Sequence, residues 1–325
     1  MGGRLNEFGL IQQIQQQTSV SAPGVKLGIG DDGAVLEIPA GKHLVAATDT
    51  LNSGVHFPVD TTPFDIAYKC LAVNLSDLAA MGATPRWALL SLSLPNSDTD
   101  WMESFNAGFM SLAQVHGVAL VGGDTTSGPL SVSITALGLI DEGRGLLRSG
   151  AQAGDLLVVS GTIGGAARVL DLRLLDLSGD DLPLSAKQLL NQPQPRVQLG
   201  QALVGSASAC IDISDGLLAD LGHMLEASGC AARIETNALP APDILADLDD
   251  EQRWTYQLAG GDDYELLFTL PKRLQAKLKT WSNELNIALS VIGTIEAGEG
   301  IRCIAPDGVE FQPQKTGWDH FGGPK

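Results

Sequence analysis

The sequence has little basic charge. Its 325 residues include 20 Lys and Arg against 38 Asp and Glu, which gives a formal net charge of −18. A nucleic-acid partner requires a basic surface, so this balance argues against one. A phosphorylated substrate would need cations held at its binding site, because the protein itself is acidic.

Cysteines are few, and long apolar runs are missing. The four cysteines include no C-x-x-C pair, which predicts free thiols in a reducing cytoplasm rather than disulfides or a zinc site. The first residues show no basic segment followed by an apolar one, so we expect no signal peptide. The longest stretch without charge, 104–123, contains polar residues and glycines, and we expect no membrane span.

Several enzyme motifs are absent as well. The sequence contains no G-x-x-x-x-G-K-[ST], which excludes a P-loop enzyme. Neither H-R-D nor D-F-G occurs, which excludes a protein kinase, and no G-x-S-x-G serine elbow is present.

The most informative segment that is present is Gly28-Ile-Gly-Asp-Asp-Gly33. It satisfies G-x-G-x-x-G, but the dinucleotide fingerprint follows a strand and opens a helix, whereas here a predicted strand at 34–38 comes after the glycines. Asp31 and Asp32 would also repel a pyrophosphate. Two adjacent carboxylates instead attract a hard cation, and that cation can hold a phosphate.

Similar polar segments recur at 48–50, 122–126 and 212–216, each after a short β-like run. We interpret them as loops that converge on one cluster of metal ions holding a polyphosphate. For any single aspartate, turn or helix-cap chemistry is the alternative interpretation. The candidate carboxylate ligands are Asp32, Asp49, Asp77, Asp124, Asp212 and Asp215.

Three further residues have both a functional and an ordinary interpretation. Gly123 would allow close backbone approach to a ligand. Arg148 would neutralise a transferring phosphate, or it is simply an exposed arginine. His56 lies in a predicted flexible loop, where a single histidine is more often incidental than functional.

The pattern of elements predicts two domains of mixed α/β (α+β) structure rather than a doubly wound parallel sheet. Glycine and charge are concentrated at 141–155, so we place the boundary there and predict domains 1–142 and 143–325. Helices are predicted at 5–17, 62–81, 98–115, 163–176, 185–204 (with a turn at 191–196), 217–225, 249–258 and 272–285. Strands are predicted at 34–38, 44–48, 88–94, 118–121, 130–140, 156–160, 209–213, 231–236, 266–270, 288–295 and 301–305.

Taken together, the motifs resemble those of bacterial thiamine-monophosphate kinases, in the superfamily of aminoimidazole-ribotide synthetase-like enzymes. The resemblance runs in order along essentially the whole chain. Its segments are 28–33, 48–51, 56–57, 69–82 (Lys-Cys-Leu-Ala-Val-Asn-Leu-Ser-Asp-Leu-Ala-Ala-Met-Gly), 122–126, 147–151, 211–217, 260–266 and the Trp-Asp-His-Phe tail at 318–321.

The resemblance implies a two-domain fold whose N-terminal mixed sheet joins that of a second copy into a barrel, giving a homodimer. It implies transfer of the γ-phosphate of ATP onto thiamine monophosphate, assisted by several Mg2+ ions. The implied magnesium ligands are Asp32, Thr48, Asp49, Asp77, Asp124, Asp212 and Asp215.

The resemblance also assigns the contacts of the two substrates. It implies that Asp49, Asp124 and Arg148 are catalytic. The implied ATP contacts are Gly123, Asp124, Arg148 and Ser214, and the implied thiamine-phosphate contacts are His56, Asp262 and Trp318.

Two positions depart from the family pattern. Asp262 stands where a glutamate one methylene longer is usual, and Ala47 stands where a serine or threonine is common. The alternatives are a sister enzyme of the superfamily with another substrate, or a non-catalytic nucleotide- or metal-binding sensor. The sister enzymes call for a reactive cysteine near the N-terminus or at the C-terminus, whereas the first cysteine here is Cys70, in a predicted helix, and the chain ends at Lys325 without one.

Overall fold

In the computed structural model, residues 7–18, 22–174, 182–315 and 317 are described. The chain divides into two compact units. The first holds the residues up to Leu78 together with Ala83–Gly143, and the second holds Ala79–Gly82 together with the residues from Arg144 onward. Each unit has its own main sheet. Within the described ranges, no helix has both the length and the apolar content that a membrane crossing requires.

The helices of the first unit begin and end at residues that the sequence signals. Thr62 Oγ1 accepts the backbone N–H of Asp65 (3.1 Å) and so caps one helix. Asp98 caps the next, and Gly117 (φ 65°) ends it. The elements are α1 Glu7–Thr18, β1 Val25–Leu27, β2 Val35–Leu36, β3 Lys42–Asn52, α2 Pro63–Ala80, β4 Thr84–Leu94, α3 Thr99–His116, β5 Ala119–Ser127 and β6 Ser131–Asp141.

The main sheet of this unit has four strands in the order β3-β6-β4-β5. β6 pairs antiparallel with both β3 and β4, and β4 pairs parallel with β5 across the α3 crossover. β3 and β5 are therefore the two edges of this sheet. The register of β4 shifts twice, between Pro85 and Trp87 against β6 and between Ala88 and Leu89 against β5.

The two faces of this sheet differ in chemistry. On one face, Val132, Ile134 and Ala136 of β6 are buried. The other face carries hydroxyl pairs, because Thr48 lies 3.0 Å from Thr135 and Thr50 lies 2.7 Å from Ser133, measured between side-chain oxygens. This face is covered by apolar packing only towards one end, where Trp87, Leu137 and Leu139 pack with Val25 and Leu36 of the β1–β2 hairpin.

The second unit is built on a seven-stranded sheet in the order β13-β12-β9-β11-β7-β10-β8. Among the described strands of this sheet, β12 and β9 are parallel and the other neighbours are antiparallel. Two of its inner strands, β7 and β10, are buried along their whole length. The elements are β7 Leu156–Ser160, α4 Gly165–Leu174, α5 Leu184–Asn191, α6 Val197–Leu203, β8 Ala209–Asp212, α7 Leu217–Ser228, β9 Ala231–Glu235, α8 Asp250–Ala259, β10 Leu266–Leu270, α9 Ala276–Leu285, β11 Leu289–Glu296, β12 Ile301–Ile304 and β13 Glu310–Phe311.

The prediction of mixed α/β structure with mixed sheets is confirmed. The prediction that 48–50 and 122–126 are loops is wrong, because both segments lie inside the edge strands β3 and β5. An edge strand pairs on one side only and is exposed on the other, so it tolerates polar and charged residues such as Thr and Asp. The glycine motif at 28–33 joins β1 to β2 and opens no helix, as expected, although the strand before it was not predicted.

Candidate active site

In the first unit, β3 and α2 bring one group of candidate residues together. The backbone N–H of Asp49 donates to Asn74 Oδ1 (3.1 Å), so α2 lies against this point of the strand. Asp77 follows Asn74 by three residues and shares its face of the helix. Thr48 points to the other side of the strand, where its hydroxyl donates to the Ile134 carbonyl (3.1 Å). The fold therefore gathers Asp49, Asn74 and Asp77.

The turn after β3 fixes the imidazole of His56. The backbone N–H of Asn52 donates to His56 Nδ1 (3.0 Å), and the N–H of His56 donates back to the Asn52 carbonyl (3.0 Å). Because Nδ1 accepts a hydrogen bond, the proton of the neutral ring is on Nε2. The amine of Lys69, a side chain only 2 % exposed, donates to the His56 carbonyl (3.1 Å). The ring is therefore set to donate from Nε2.

At the opposite edge of the sheet, β5 carries the Gly-Gly-Asp segment. Gly123 has φ +152°, and a Cβ atom there would lie 1.8 Å from the Leu90 carbonyl oxygen, so only glycine fits. Asp124 follows it, exposed and paired in register with Ser91. The glycine thus fixes the backbone just before the carboxylate.

Asp32 lies in the exposed loop between β1 and β2. Its backbone N–H donates to Asp31 Oδ1 (2.9 Å), and Gln15 of α1 holds the loop by donating to the Ile29 carbonyl (2.8 Å). The loop starts next to β5, since a Cβ atom on Gly28 would lie 3.9 Å from the Val121 carbonyl oxygen.

The register of the sheet separates Asp49 from Asp124 within one chain. Asp49 pairs with Ile134, Ile134 with Leu90, and Leu90 with Gly123, so two strands lie between the two edges. At about 4.8 Å between neighbouring strands, the backbones are about 14 Å apart along the sheet. Mg2+ binds oxygen at about 2.1 Å, so one ion does not reach both carboxylates of the same sheet.

In the second unit, β8 ends at Asp212, which is 4 % exposed, and the loop Ser214-Asp215-Gly216 leads into α7. The backbone N–H groups of these three loop residues all donate to one oxygen, Oδ2 of Asp220, at 2.9, 3.1 and 3.2 Å. Asp220 lies in the first turn of α7 and is itself 4 % exposed. A carboxylate of the chain thus occupies a position where three N–H groups would otherwise bind an anion.

The charge around Asp220 is strongly negative. Burial, and after it the nearby charges of Asp212 and Asp215, raise the pKa of Asp220 to about 7 against the opposing effect of the backbone N–H groups. A bound cation would reduce the repulsion between these neighbouring carboxylates.

The segment Gly260-Gly-Asp-Asp-Tyr-Glu265 packs against the same loop. The backbone N–H of Asp262 donates to the Ser214 carbonyl and that of Tyr264 to the Ile213 carbonyl, both at 2.8 Å. Asp262 (φ 70°) and Tyr264 (φ 51°) both have positive φ, which is uncommon for residues other than glycine. The Tyr264 hydroxyl donates to Asp262 Oδ1 (3.1 Å) and orients that carboxylate.

The other two acids of this segment are engaged inside the unit. Asp263 Oδ2 accepts the backbone N–H of Gly164 (2.7 Å), next to the start of α4. Glu265 forms a two-pronged ion pair with Arg196 and accepts the Ser160 hydroxyl (2.5 Å). Neither carboxylate is therefore offered to a ligand.

Two candidates remain, Arg148 and Trp318. Arg148 is exposed, on a loop that Ser228 Oγ fixes by accepting the N–H groups of Gly150 (3.1 Å) and Ala151 (3.2 Å). Trp318, predicted to contact thiamine phosphate, lies outside the described residues.

The donor chemistry of the predicted ligands suits Mg2+, because all are carboxylate or hydroxyl oxygens, the ligands that this ion prefers. Among residues 7–18, 22–174, 182–315 and 317, no three His, Cys, Asp or Glu side chains form a group that could hold a metal ion alone. Five predicted ligands lie in the first unit and two, Asp212 and Asp215, in the second.

Sequence reasoning missed three residues that organise these segments, namely Lys69, Asp220 and Glu265. An aspartate in the first turn of a helix, four residues after the glycine of Ser-Asp-Gly, is a recognisable capping signal, and it identifies Asp220. No local pattern indicates the other two, because their partners His56 and Arg196 are distant in sequence.

Comparison with known proteins places the chain among phosphate-transferring enzymes. Residues 30–140 match the family model "AIR synthase related protein, N-terminal domain", and residues 152–305 match "AIR synthase related protein, C-terminal domain". The chain is 44% identical over 323 residues to the thiamine-monophosphate kinase of Escherichia coli (strain K12), covering 98% of this chain and 99% of that relative.

Two solved structures are similar over nearly their full length. The thiamine-monophosphate kinase from Stenotrophomonas maltophilia K279a has a TM-score of 0.86 and 46% identity, covering 95% of this chain and 98% of that one. AaThiL complexed with AMPPCP and TMP has a TM-score of 0.76 and 33% identity, covering 98% and 97%.

Proposed function

The chain belongs to the thiamine-monophosphate kinase family of AIR synthase related proteins, and from this membership we propose which residues carry its reaction. The reaction is the ATP-dependent phosphorylation of thiamine monophosphate to thiamine diphosphate. The observation that carries this conclusion is the match to the kinases over nearly the whole of both chains.

The chemistry requires positioning and charge neutralisation more than proton transfer. An oxygen of the thiamine phosphate forms a bond to the γ-phosphorus of ATP, the bond from that phosphorus to the β–γ bridging oxygen breaks, and ADP leaves. The attacking oxygen is already an anion, so the step needs no general base. Binding both substrates in line supplies much of the rate enhancement.

Under this proposal, cations held by the carboxylates of this chain would bind the phosphates of the two substrates. Asp220 and Asp263 fill two positions in the second unit where backbone N–H groups would otherwise face a phosphate. Bound Mg2+ would neutralise the phosphate oxygens and draw electron density from the transferring group. The residues that would hold it are Asp32, Thr48, Asp49, Asp77, Asp124, Asp212 and Asp215.

The ATP contacts proposed in each unit have different roles. Gly123 has no side chain to block approach to the backbone beside Asp124. Ser214 offers a hydroxyl on the loop that Asp220 holds. Arg148, exposed on its fixed loop, is free of burial costs and would place a guanidinium against the transferring phosphate.

The proposed thiamine-phosphate contacts divide between phosphate and vitamin. The Nε2–H of His56 would donate to the acceptor phosphate, a role that the bond from Asn52 prepares. The Asp262 carboxylate, oriented by Tyr264, would accept a hydrogen bond from the vitamin, and Trp318 would stack on its heterocycle.

We infer further that the enzyme is a homodimer in which β3 of one sheet lies beside β5 of the other. The uncovered face of the sheet carries hydroxyl groups and offers little apolar area for face-to-face packing, so its edges are the better interface. Such closure would bring the backbone at Asp49 of one copy close to the backbone at Asp124 of the partner, which a single sheet does not do.

Under this proposal, residues 1–142 bind ATP and metal and form the dimer, while residues 143–325 complete the nucleotide and substrate site. The four cysteines are free and buried, which suits a reducing compartment, and we propose the cytoplasm as the location.

The first test is product formation from two acceptors. The purified protein is incubated with ATP and Mg2+ and either thiamine monophosphate or thiamine, and thiamine diphosphate is measured by chromatography. Product from the monophosphate alone, lost with EDTA and restored by Mg2+, supports the proposal. Binding of Mg2+ and AMPPCP without product from either acceptor overturns it in favour of a sister enzyme or a sensor.

A further inference from the structure

Asp220 holds the loop Ser214-Asp215-Gly216 by its backbone. Three consecutive N–H groups converge on a single carboxylate oxygen at 2.9 to 3.2 Å. Because the three N–H groups share one acceptor, the relative orientation of all three peptide groups is fixed. Asp220, a side chain outside the loop, therefore fixes the N–H side of its backbone, while the N–H of Asp262 holds the Ser214 carbonyl.

The N-cap position of α7 offers no side-chain acceptor of its own. Gly216 occupies the N-cap position and makes no side-chain cap bond. It has φ +122°, and a Cβ atom there would lie 2.9 Å from the Ala259 carbonyl oxygen, so a capping serine or aspartate is excluded at that position. The side chain of Asp220, four residues later, supplies the missing acceptor.

The loop side chains remain accessible while the backbone is held. Ser214 and Asp215 are partly exposed, whereas Gly216 and Asp220 are buried. Because the N–H groups turn inward to Asp220, the side-chain oxygens of Ser214 and Asp215 are the groups that the loop can offer to a ligand.

We propose that Asp220 is a positioning residue for nucleotide binding, which sets the Ser214-Asp215-Gly216 backbone so that the Ser214 and Asp215 side chains meet the magnesium-bound nucleotide. This inference rests on the proposed function, in which those two residues contact ATP and metal. The carboxylate acts as a hydrogen-bond acceptor of fixed position and does not itself touch the nucleotide.

The test compares Asp220→Ala, which removes the acceptor, with Asp220→Asn, which keeps an oxygen at the same reach. Asp249→Ala is the matched control, because Asp249 caps α8 through the Gln252 N–H (2.9 Å) and belongs to no proposed site. Calorimetry measures the Kd for Mg2+ with AMPPCP, and kinetics measure KM for ATP and for thiamine monophosphate. Circular dichroism confirms folding, and Asp220→Ser replaces the alanine variant if that variant does not fold.

We expect Asp220→Ala to raise the Kd for magnesium-bound AMPPCP at least about 10-fold, the loss of roughly one charge-assisted hydrogen bond. KM for ATP should follow, and KM for thiamine monophosphate should stay nearly constant. Asp220→Asn should restore most of the affinity, and Asp249→Ala should not change it.

An unchanged Kd in Asp220→Ala, an equal rise in both KM values, or an asparagine variant as weak as the alanine one would each overturn the inference. The calorimetric measurement needs no acceptor, so it separates this inference from the assignment of thiamine monophosphate. A wild-type protein that binds magnesium-bound AMPPCP but makes no thiamine diphosphate contradicts the proposed function and still tests Asp220.

Discussion

At the scale of single residues, the aspartates of this chain divide by what their carboxylates contact. Asp220 and Asp263 accept backbone N–H groups and so support the fold around the site. Asp49 and Asp124 lie on the edge strands β3 and β5, where Asp49 is half-buried and Asp124 is exposed. The sequence separates these two kinds only in part, because Asp220 carries the capping signal of a first-turn aspartate, whereas Asp263 follows a Gly-Gly pair much as Asp124 does.

Replacing either edge aspartate with asparagine should nearly abolish turnover. Asp49→Asn and Asp124→Asn keep the size of the side chain but lose the charge that Mg2+ requires. We expect kcat/KM to fall by about 10²-fold or more, as when one electrostatic stabiliser of a transition state is removed. The assay is thiamine diphosphate formation at saturating Mg2+, with folding checked by circular dichroism.

The matched control is Asp141→Asn on the same sheet. Asp141 pairs with Lys42 (2.6 Å) at the exposed end of β6, and exposed ion pairs contribute little to stability. Near-native turnover in Asp49→Asn and Asp124→Asn, at the level of this control, would contradict the metal assignment.

Asp263 should make stability depend on pH in a direction opposite to that of most carboxylates. Burial raises its pKa well above the usual range, and the charge of Glu265 raises it further. The folded state then binds more protons than the unfolded state above the ordinary aspartate pKa of about 4. The contribution of this group to the free energy of unfolding therefore decreases as the pH rises from that value to the raised pKa.

Asp263→Asn removes this titration and keeps an oxygen acceptor for Gly164. Urea unfolding at several pH values from 4.5 to 8 should show the wild type losing stability relative to the variant as the pH rises. A difference between the two proteins that does not change with pH would show that Asp263 has an ordinary pKa.

At the scale of elements, periodicity and caps predicted most of the fold. The helix predicted at 98–115 is α3, because Asp98 and Gly117 give it unambiguous ends. The buried strands at 156–160 and 266–270 match their predictions, since a short apolar run between polar segments has few alternatives. The helix predicted at 185–204 is divided into α5 and α6 where the predicted turn falls.

The candidate site was harder to predict because its contacts join distant segments. The polar composition of the Thr-Asp-Thr and Gly-Gly-Asp segments led to a prediction of loops. Edge strands also carry polar residues, and local composition does not show which strands lie at the edge of a sheet. The bonds from Lys69 to His56 and from Arg196 to Glu265 depend on tertiary packing and leave no local signal.

Two helical glycines should respond to alanine in opposite ways. A Cβ atom at Gly108 in α3 would lie 2.1 Å from the Phe64 carbonyl oxygen of α2, whereas one at Gly222 in α7 meets nothing within 4 Å. Gly108→Ala should destabilise the protein by about 1–3 kcal/mol through overpacking. Gly222→Ala should stabilise it by about 0.5–1 kcal/mol through helix propensity.

Urea unfolding of both variants against the wild type measures this contrast, because each change adds the same methyl group to a helix interior. Equal effects of the two substitutions would mean that α2 and α3 do not approach as closely as the structure shows.

At the scale of the whole molecule, the strand order β3-β6-β4-β5 places two groups of proposed ligands at opposite edges of one sheet. A dimer that sets β3 beside the β5 of a second copy would make each metal site from two chains. A site made from two chains and a site made within one chain differ in one expected result, the activity of mixed dimers.

Mixing the two inactive variants should restore activity. In a dimer of one Asp49→Asn chain and one Asp124→Asn chain, both substitutions fall in one shared site and the other site is intact. Random exchange makes half of the dimers mixed, so we expect about one quarter of the wild-type rate. The variants are co-refolded or co-expressed and assayed for thiamine diphosphate.

The control is each variant refolded or expressed alone. Sedimentation should show a species with twice the chain mass of 34.0 kDa. If mixing restores no activity although mixed dimers form, both aspartates act within one chain and the proposed edge arrangement is wrong.

The two edges of this sheet, β3 and β5, are different strands, and this difference affects whether the assembly of copies would stop at a dimer. A contact between β3 and β5 is head-to-tail, so it ends in a closed ring only when the sheet bends enough, and otherwise it continues as a filament. The two register shifts in β4 act as bulges, which bend a strand and increase its twist. If copies associate as proposed, a substitution that flattened β4 would therefore turn a closed dimer towards polymerisation while leaving every proposed site residue unchanged.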